Sequence, residues 1–306
     1  MLSRINELSD AAAERSRPSR SPYPRALRGP SRTRNRMRPH LVRPARRLAV
    51  SLLVLPWVVG CRSASGPSTA TGARVLFIGN SLTSVNDLPR MFASVAEAGG
   101  FDVATGEVVF NDVSLSDHLL AGDAAAEIRR GNWDYVVLQQ GPSGRPESRV
   151  ELIASTQQFA TIITAEGAQP ALYMVWPDVT RPTAFDSVSR SYTDAANAVE
   201  GLLFPAGDAW IDAWERKPSL ALYGHDGFHP SALGSYLAAL TIYAVLCDRS
   251  PALLPVQPTG INAVLLRGES TADIRILQDA AGAVTAGLPR KGRCVRAEPT
   301  TRALAR

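Results

Sequence analysis

The sequence predicts an α/β domain in which a parallel β-sheet is covered by helices on both faces. Short apolar runs alternate along residues 73–286 with longer segments of helical periodicity, joined by connections of modest length. The first apolar run, residues 75–78, contains no alternating polar residues, which is typical of a parallel strand buried on both faces. Strands that alternate with helices favour a parallel sheet, here of about five strands.

The first predicted strand leads directly to a serine. Gly79 follows residues 75–78 and permits a sharp turn, so we expect Ser81 at the carboxyl end of a central strand, where open α/β sheets place ligands. Residues 87–98 have apolar side chains at helical spacing, and Pro89 is tolerated in the first turn of this helix. Ser81 is therefore predicted to lie near the free N–H groups of a helix start.

The remaining elements follow in order along the chain. Further strands are predicted at residues 101–110, 133–140, 170–176 and 203–204, and further helices at residues 118–130, 148–165, 192–202, 208–216, 230–246 and 272–286. Residues 178–189 are rich in Pro and Thr and predict a loop over the site, while residues 208–216 predict a short surface helix. Residues 230–246 are apolar nearly all round, which indicates a buried helix.

Two short motifs carry the candidate chemistry. Residues 79–82 read Gly-Asn-Ser-Leu, and residues 226–230 read Asp-Gly-Phe-His-Pro. Together they resemble the SGNH branch of the GDSL hydrolases, which has a G-[DN]-S-[LI] block after the first strand and a late D-x-x-H-P block. This resemblance covers residues 74–285 and implies a three-layer α/β/α, flavodoxin-like fold.

The same resemblance implies hydrolysis of a carboxylic ester. Asp226 and His229, three residues apart in a tight loop, can direct a carboxylate at one imidazole nitrogen while the other nitrogen faces Ser81. Ser81 would then be the nucleophile, and its N–H one oxyanion donor, without a metal or an organic cofactor. We expect a small-molecule or glycan ester as substrate. Two alternatives are a weakly active or inactive binding lipoprotein on this fold and an acyltransferase to a surface glycan.

Two oxyanion donors of the family are replaced in this sequence. The glycine of the second block is missing, so the N–H of Val113 or Ser114 is the expected substitute. The asparagine of the third block is missing as well, and Gln139, Gln140 or Ser143 is expected to provide the donor. In the alternative interpretation, both glutamines only satisfy backbone groups of a loop.

Two other histidines are assigned no catalytic role. His118 is interpreted as a packing or capping residue, because His229 has the better context. His225 precedes Asp226 directly, which is the wrong spacing for the family pattern, and no proline follows it.

The start of the chain predicts export. An apolar run of 13 residues, 48–60, follows Arg46 and Arg47 and ends at Cys61, which resembles a bacterial lipoprotein signal. As a helix it would span about 20 Å, less than the roughly 30 Å hydrocarbon core of a bilayer. Cleavage before Cys61 would leave its thiol to carry lipid. The alternative is an ordinary secretory signal in which the cysteine has no role.

These features divide the chain into five segments. Residues 1–36 are interpreted as a wrongly assigned start or a disordered extension, 37–60 as the signal peptide, 61–72 as a flexible tether, 73–286 as the hydrolase domain, and 287–306 as a basic, mobile tail. The protein is therefore expected in the bacterial cell envelope as a lipid-anchored monomer.

The positive net charge of +5 belongs to the front of the chain. Of 33 Lys and Arg, 13 lie in residues 1–60 with three of the 28 acidic residues, so the rest has 20 basic and 25 acidic groups, a net charge of −5. No zinc-finger, RRM or basic-zipper pattern accompanies the basic region, and a nucleic-acid partner is therefore not expected.

Two cysteines remain after Cys61, at positions 247 and 294. An exported protein can oxidise them to a disulfide, whereas two separate thiols, one buried and one in the tail, are the alternative. Their spacing indicates no metal site.

Overall fold

A six-stranded sheet lies at the centre of the described part of the computed structural model, which comprises residues 72–288 and 294–296. The strands are β1 Ala73–Gly79, β2 Phe101–Val109, β3 Tyr135–Leu138, β4 Gln169–Met174, β5 Leu202–Pro205 and β6 Val295–Arg296. Their order across the sheet is β5-β4-β3-β1-β2-β6. Strands β1 to β5 are parallel, which confirms the predicted five-stranded parallel sheet, and β6 adds a short antiparallel pairing with β2.

Strand β1 is central because it pairs with β2 on one side and with β3 on the other. Its apolar side chains, Val75 to Ile78, are at most 1% exposed. The chain leaves β1 toward β2 and later returns to add β3 on the opposite side, so the carboxyl end of β1 lies at the switch point where such sheets bind ligands. Residue 72 precedes β1 and lies at the amino edge, opposite Ser81.

Ten α-helices surround the sheet in the described residues. They are α1 Ser81–Ser84, α2 Leu88–Ala98, α3 Leu115–Ala121, α4 Asp123–Arg130, α5 Pro146–Ala165, α6 Phe185–Asn197, α7 Ala206–Arg216, α8 Ala232–Leu246, α9 Gly260–Leu265 and α10 Thr271–Thr285. Helix α8 contacts α2, α7 and α10, and α7 contacts α10, whereas α3 to α6 form a second group. Right-handed crossovers put the helix after β1 and the helices after β2, β3 and β4 on opposite faces, which gives three layers.

Helix α8 is the buried helix predicted from its apolar sequence. Every residue from Leu233 to Leu246 is buried, including Ser235 and Thr241. This helix follows the second motif directly, so the motif is attached to a rigid part of the core.

The predicted helix over residues 118–130 ends at Arg130 as expected, but the structure divides this segment into two helices, the first of which starts at Leu115. Ser114 and Asp117 form a capping box that starts α3 earlier than predicted. Gly122, with φ of 84°, ends α3 and precedes α4. A left-handed glycine is a common helix terminator because it has no Cβ to clash.

The predicted loop over residues 178–189 is shorter than expected, and the predicted helix over residues 192–202 begins and ends too late. Helix α6 starts at Phe185, which is buried together with Val188 and Tyr192 at helical spacing. The Pro and Thr residues of the preceding turn concealed this start. The burial of an apolar helix face therefore determines where α6 starts, although the local composition is typical of a loop.

Helix α7 is not the surface helix that was predicted. Its Trp210 is fully buried and stacks on Trp176, with ring centroids 3.7 Å apart and an interplanar angle of 14°. Aromatic side chains of this size contribute strongly to a core. One face of α7 therefore belongs to the interior.

A disulfide joins Cys247, at the end of α8, to Cys294, with the Cα atoms 4.6 Å apart. Strand β6 follows at once and pairs with Phe101 and Asp102 of β2. Residues 294–296 of the predicted mobile tail are thus bonded to the domain. The predicted signal, tether and lipidation site at Cys61 lie outside the described residues, among which no helix is long and apolar enough to cross a membrane.

Candidate active site

The segment that carries the candidate nucleophile, residues 79–87, is called the nucleophile segment. It turns the chain from β1 into helix α2. Asn80 caps the short helix α1, its side-chain oxygen accepting the N–H of Leu82 at 3.1 Å. Ser81 is the first residue of α1, a position whose N–H has no intrahelical acceptor. No other acceptor for this N–H lies among the described residues. A half-buried hydroxyl and an unpaired N–H of the same serine therefore lie at the carboxyl end of β1.

Gln139, directly after β3, fixes the nucleophile segment through its buried carboxamide. Its Oε1 accepts the Asn80 N–H at 2.9 Å and the Thr83 hydroxyl at 2.7 Å. Its Nε2 donates to Asn80 Oδ1 at 2.9 Å and to the carbonyl of Gln140 at 2.7 Å. A Cβ on Gly79 would lie only 2.4 Å from Gln139 Oε1, so this close approach requires glycine. Both the oxygen and the nitrogen of the Gln139 carboxamide are therefore engaged in hydrogen bonds that position this turn.

His118 is a buried packing residue, in agreement with its sequence interpretation. Its Nε2 lies 2.8 Å from the carbonyl oxygen of Gly79, and it must donate there because a carbonyl only accepts. The same carbonyl accepts the N–H of Phe110 at 3.2 Å. His118 therefore holds the backbone at the end of β1.

The histidine loop, residues 223–230, is closed by a bridge between its first and last residues. Within it, the N–H of Gly224 donates to the carbonyl of His229 at 2.7 Å. Gly227 has φ of 68°, and a Cβ there would lie 2.5 Å from Val179 Cγ1. Both the left-handed backbone and the close neighbour explain glycine at this position.

The structure brings Ser81, His229 and Asp226 into one hydrogen-bonded chain. His229 Nε2 lies 2.9 Å from Ser81 Oγ, and His229 Nδ1 lies 2.5 Å from Asp226 Oδ2. The hydrogen bond from His229, together with that from the Phe228 N–H, lowers the pKa of Asp226 to about 2. An ionised Asp226 holds the proton on Nδ1, so the lone pair of Nε2 faces the serine hydroxyl.

Two buried tryptophans, Trp176 and Trp210, support the histidine loop from the core, and Tyr223, at the start of the loop, is half-buried against them. Trp176 donates its Nε1–H to the carbonyl of Phe228 at 3.0 Å, and Tyr223 donates its hydroxyl to the carbonyl of Pro177 at 2.6 Å. Trp210 stacks on Trp176 and meets Tyr223 edge to face. Sequence reasoning missed these roles, although a tryptophan at the end of a predicted strand was the available signal.

The loop after β2 offers Val113 rather than Ser114 as an oxyanion donor. The N–H of Ser114 is engaged in the capping box, donating to Asp117 Oδ2 at 2.8 Å. Val113 accepts the Asn80 Nδ2 group at its carbonyl, at 3.0 Å, which fixes it beside the nucleophile segment. Its own N–H has no acceptor among the described residues.

Gln140 and Ser143, the other expected oxyanion donors, are also engaged in internal hydrogen bonds. Gln140 Nε2 donates to Ser143 Oγ at 2.9 Å and to the carbonyl of Ser148 at 3.4 Å, while its Oε1 accepts the N–H of Leu115 at 3.2 Å. Ser143 Oγ donates to the carbonyl of Gly141 at 3.0 Å. The structure therefore favours the interpretation in which these side chains satisfy loop groups.

Comparison with known proteins identifies relatives of the fold only. No protein-family model and no curated protein matches the chain. A solved DUF4886 family protein from Bacteroides uniformis is 20% identical, with a TM-score of 0.61 over 73% of this chain and 98% of that one.

Other solved structures similar to this chain include SGNH hydrolases and acylhydrolases. A putative SGNH hydrolase from Slackia heliotrinireducens is 28% identical over 55% of this chain and 95% of its own, with a TM-score of 0.45. A lipase/acylhydrolase from Enterococcus faecalis is 16% identical over 55% and 91%, with a TM-score of 0.44. The likeness to the Bacteroides protein shows that the chain has the same fold, an α/β fold with the parallel sheet that its sequence predicts.

Proposed function

We propose that this protein is a serine ester hydrolase of the SGNH type. The observation that carries the proposal is the hydrogen-bonded chain from Ser81 Oγ through both nitrogens of His229 to Asp226. Its members come from two segments some 145 residues apart and meet at the switch point of the sheet. A nucleophile, a base and a group that orients the base are the parts that acyl transfer requires.

The reaction proceeds in two halves on this geometry. Ser81 Oγ attacks the acyl carbon while His229 Nε2 takes the hydroxyl proton, and the same nitrogen then protonates the departing alcohol. Water attacks the acyl-serine, again losing its proton to His229, and the carboxylic acid leaves as the serine is restored. Asp226 keeps the imidazole in the required tautomer and stabilises its charged form.

Two backbone N–H groups are proposed as oxyanion donors, those of Ser81 and Val113. Both lack acceptors within the described residues, and the side chain of Asn80, the residue before Ser81, donates to the carbonyl of Val113. Pre-positioned backbone donors are worth most where charge develops in the transition state. The bonded side chains of Gln140 and Ser143 are not needed in this scheme.

Fluorophosphonate labelling of the full chain, purified in mild detergent, tests the proposal. The wild type should be labelled and should hydrolyse p-nitrophenyl acetate, whereas Ser81→Ala should do neither at an unchanged melting temperature. A panel of longer p-nitrophenyl esters and acetylated glycans then identifies the acyl and alcohol parts of the substrate. A folded wild type that neither labels nor hydrolyses any ester contradicts the proposal and supports a binding protein on the same fold.

One further measurement distinguishes acyl transfer from ester hydrolysis. With a glycan acceptor present, a hydrolase releases the free acid at an unchanged rate, whereas an acyltransferase forms the acylated glycan. The same triad serves both reactions, so the product decides between them.

We also propose that the protein is exported, anchored by lipid at Cys61, and monomeric. The disulfide between Cys247 and Cys294 supports export, because disulfides persist in oxidising compartments. Metabolic labelling with a fatty acid should mark the wild type and leave Cys61→Ser unmarked, and equal labelling contradicts the anchor. Light scattering of the purified protein that shows a stable oligomer contradicts the monomer.

A further inference from the structure

We propose that Asn86 is a positioning residue that holds the histidine loop in register with the nucleophile segment. The inference rests on the proposed function, because it concerns the distance between the hydroxyl of Ser81 and the imidazole of His229. Asn86 belongs to the nucleophile segment and lies five residues after the serine.

The carboxamide of Asn86 bridges two distant parts of the chain. Its Nδ2 donates to the carbonyl of Pro230 at 3.1 Å and to Ser235 Oγ at 2.9 Å. Pro230 is the residue after the candidate base, and Ser235 is a buried residue in the first turns of α8. Both hydrogens of the amide are therefore bound, one to the loop and one to the helix that carries it.

The other hydrogen bonds around His229 do not set its distance from the serine. Its N–H donates to Asp226 Oδ1 and its carbonyl accepts from Gly224, so both bonds stay within the loop. The carbonyl before it is held by Trp176, which follows β4. Among the described residues, the hydrogen bonds that join the nucleophile segment to the histidine loop and α8 are those of Asn86 and the bond between Ser81 and His229 themselves.

The backbone of Asn86 is in a conformation that this role requires. Its φ and ψ are 59° and 16°, in the left-handed region, and Asp87 follows with φ of 54°. Residues other than glycine rarely adopt this region, although asparagine does so more readily than most. Such conformations persist where surrounding contacts determine them, and they cluster at functional sites. Here the turn directs the amide at Pro230.

Glycine at position 86 separates the backbone from the side chain. It adopts the left-handed conformation freely and removes only the bridging amide. Aspartate at the same position keeps the side-chain size and the tolerance for this backbone, and the Ser235 hydroxyl can still donate to it. It cannot donate to the Pro230 carbonyl, so the bond to the histidine loop is lost. Both variants should therefore keep the fold and release the histidine loop.

The test compares the wild type with Asn86→Gly and Asn86→Asp in the full chain, using p-nitrophenyl acetate and a fluorophosphonate. Misplacement of reacting groups by about 1 Å costs on the order of 10²-fold in rate, so kcat and the labelling rate should fall by about that factor in both variants, with KM nearly unchanged. Asn132→Gly is the matched control, because Asn132 is an exposed asparagine with φ of 66° at the amino end of β3. It should keep wild-type rates.

Crystal structures of the wild type and Asn86→Gly make the inference independent of activity. A longer distance from Ser81 Oγ to His229 Nε2 in the variant supports the positioning role even if the wild type proves inactive, in which case only the proposed function fails. Wild-type labelling rates and an unchanged distance in Asn86→Gly overturn the inference while leaving the proposed function intact.

Discussion

The nucleophile segment and the histidine loop are held in place by different kinds of contact. Buried side chains of other elements fix the nucleophile segment, chiefly Gln139, which is 1% exposed, and His118. The histidine loop has one buried support of this kind, Trp176, but most of its hydrogen bonds are made within the loop by its own backbone and by Asp226, whose side chain is 52% exposed. The His229 side chain is 32% exposed.

This difference predicts how each half of the site responds to mutation. Removing a buried, fully hydrogen-bonded side chain leaves its partners unpaired, because neither water nor another protein group can take its place. Substitution of the side chains that hold the nucleophile segment should therefore lower both stability and activity. The solvent can replace the partners of an exposed carboxylate. Changes in the histidine loop should therefore affect activity with little effect on folding.

The largest effect is expected from Ser81→Ala and His229→Ala. Each should lower kcat by on the order of 10⁶-fold, because members of such a triad act as a unit. Neither removes core volume, so thermal melting should stay near that of the wild type. His225→Ala is the matched control and should retain most activity, as should His118→Ala if it still folds. An inactive His225→Ala beside an active His229→Ala would show that the wrong histidine has been assigned.

Asp226→Asn should lower kcat by about 10⁴-fold, since an amide no longer fixes the imidazole tautomer. Because the side chain is exposed, urea unfolding should give nearly the same midpoint as the wild type. A large loss of stability would contradict the contrast between the two halves of the site.

Gln139→Met should damage stability and activity together. The substitution keeps the volume but strands the N–H of Asn80 and the hydroxyl of Thr83, each at a cost of about 1–3 kcal/mol in the free energy of unfolding. Loss of the serine's position should lower kcat by on the order of 10²-fold. Gln157→Met, on the exposed face of α5, is the control and should change neither quantity. Full activity in Gln139→Met would contradict the conclusion that the buried carboxamide of Gln139 holds the nucleophile segment in place.

Gln140→Ala should affect stability more than catalysis. It strands the N–H of Leu115, which should cost about 1–3 kcal/mol in unfolding free energy, while kcat/KM should change less than tenfold. Loss of a true oxyanion donor lowers kcat by about 10²- to 10³-fold. Kinetics measured beside urea denaturation therefore distinguish the structural role from the catalytic role predicted from the sequence.

The smallest effect expected is the contribution of Asp226 to the pH dependence of stability. Its pKa is lowered from 3.8 to about 2 in the folded protein, so its stabilising effect is complete above pH 3.8 and is lost as the pH falls toward 2. Solvent screening of the exposed group keeps this effect small. Above pH 3.8 the urea midpoint of the wild type should be slightly higher than that of Asp226→Asn, and this small difference should disappear as the pH falls toward 2. A difference of the same size at both pH values would contradict the lowered pKa.

The sequence was sufficient for the parts of the protein that depend on short-range patterns. The unbroken apolar run of β1 indicated a buried parallel strand, and the spacing of Asp226 and His229 lets one loop present both side chains. Helix α8 was recognisable because it is apolar on every side. Each of these features is contained in a few consecutive residues.

The remaining features depend on contacts between distant residues. Gln139 and Gln140 are adjacent and chemically identical, yet the first binds the nucleophile segment and the second binds Ser143 and Leu115. No local pattern distinguishes them. The disulfide was undecided for the same reason, since pairing depends on where the tail meets the end of α8.

The direction of β1 has a practical consequence for immobilising the protein on a solid support. The strand has seven residues and rises about 3.3 Å per residue, so Ala73 at its start lies about 20 Å from Gly79 at its end, next to the turn that carries Ser81. A resin, electrode or display scaffold coupled upstream of residue 72 would approach the amino edge of the sheet. The hydroxyl of Ser81, the proposed nucleophile, would then lie at the edge of the sheet away from the support, where large or insoluble esters could reach it.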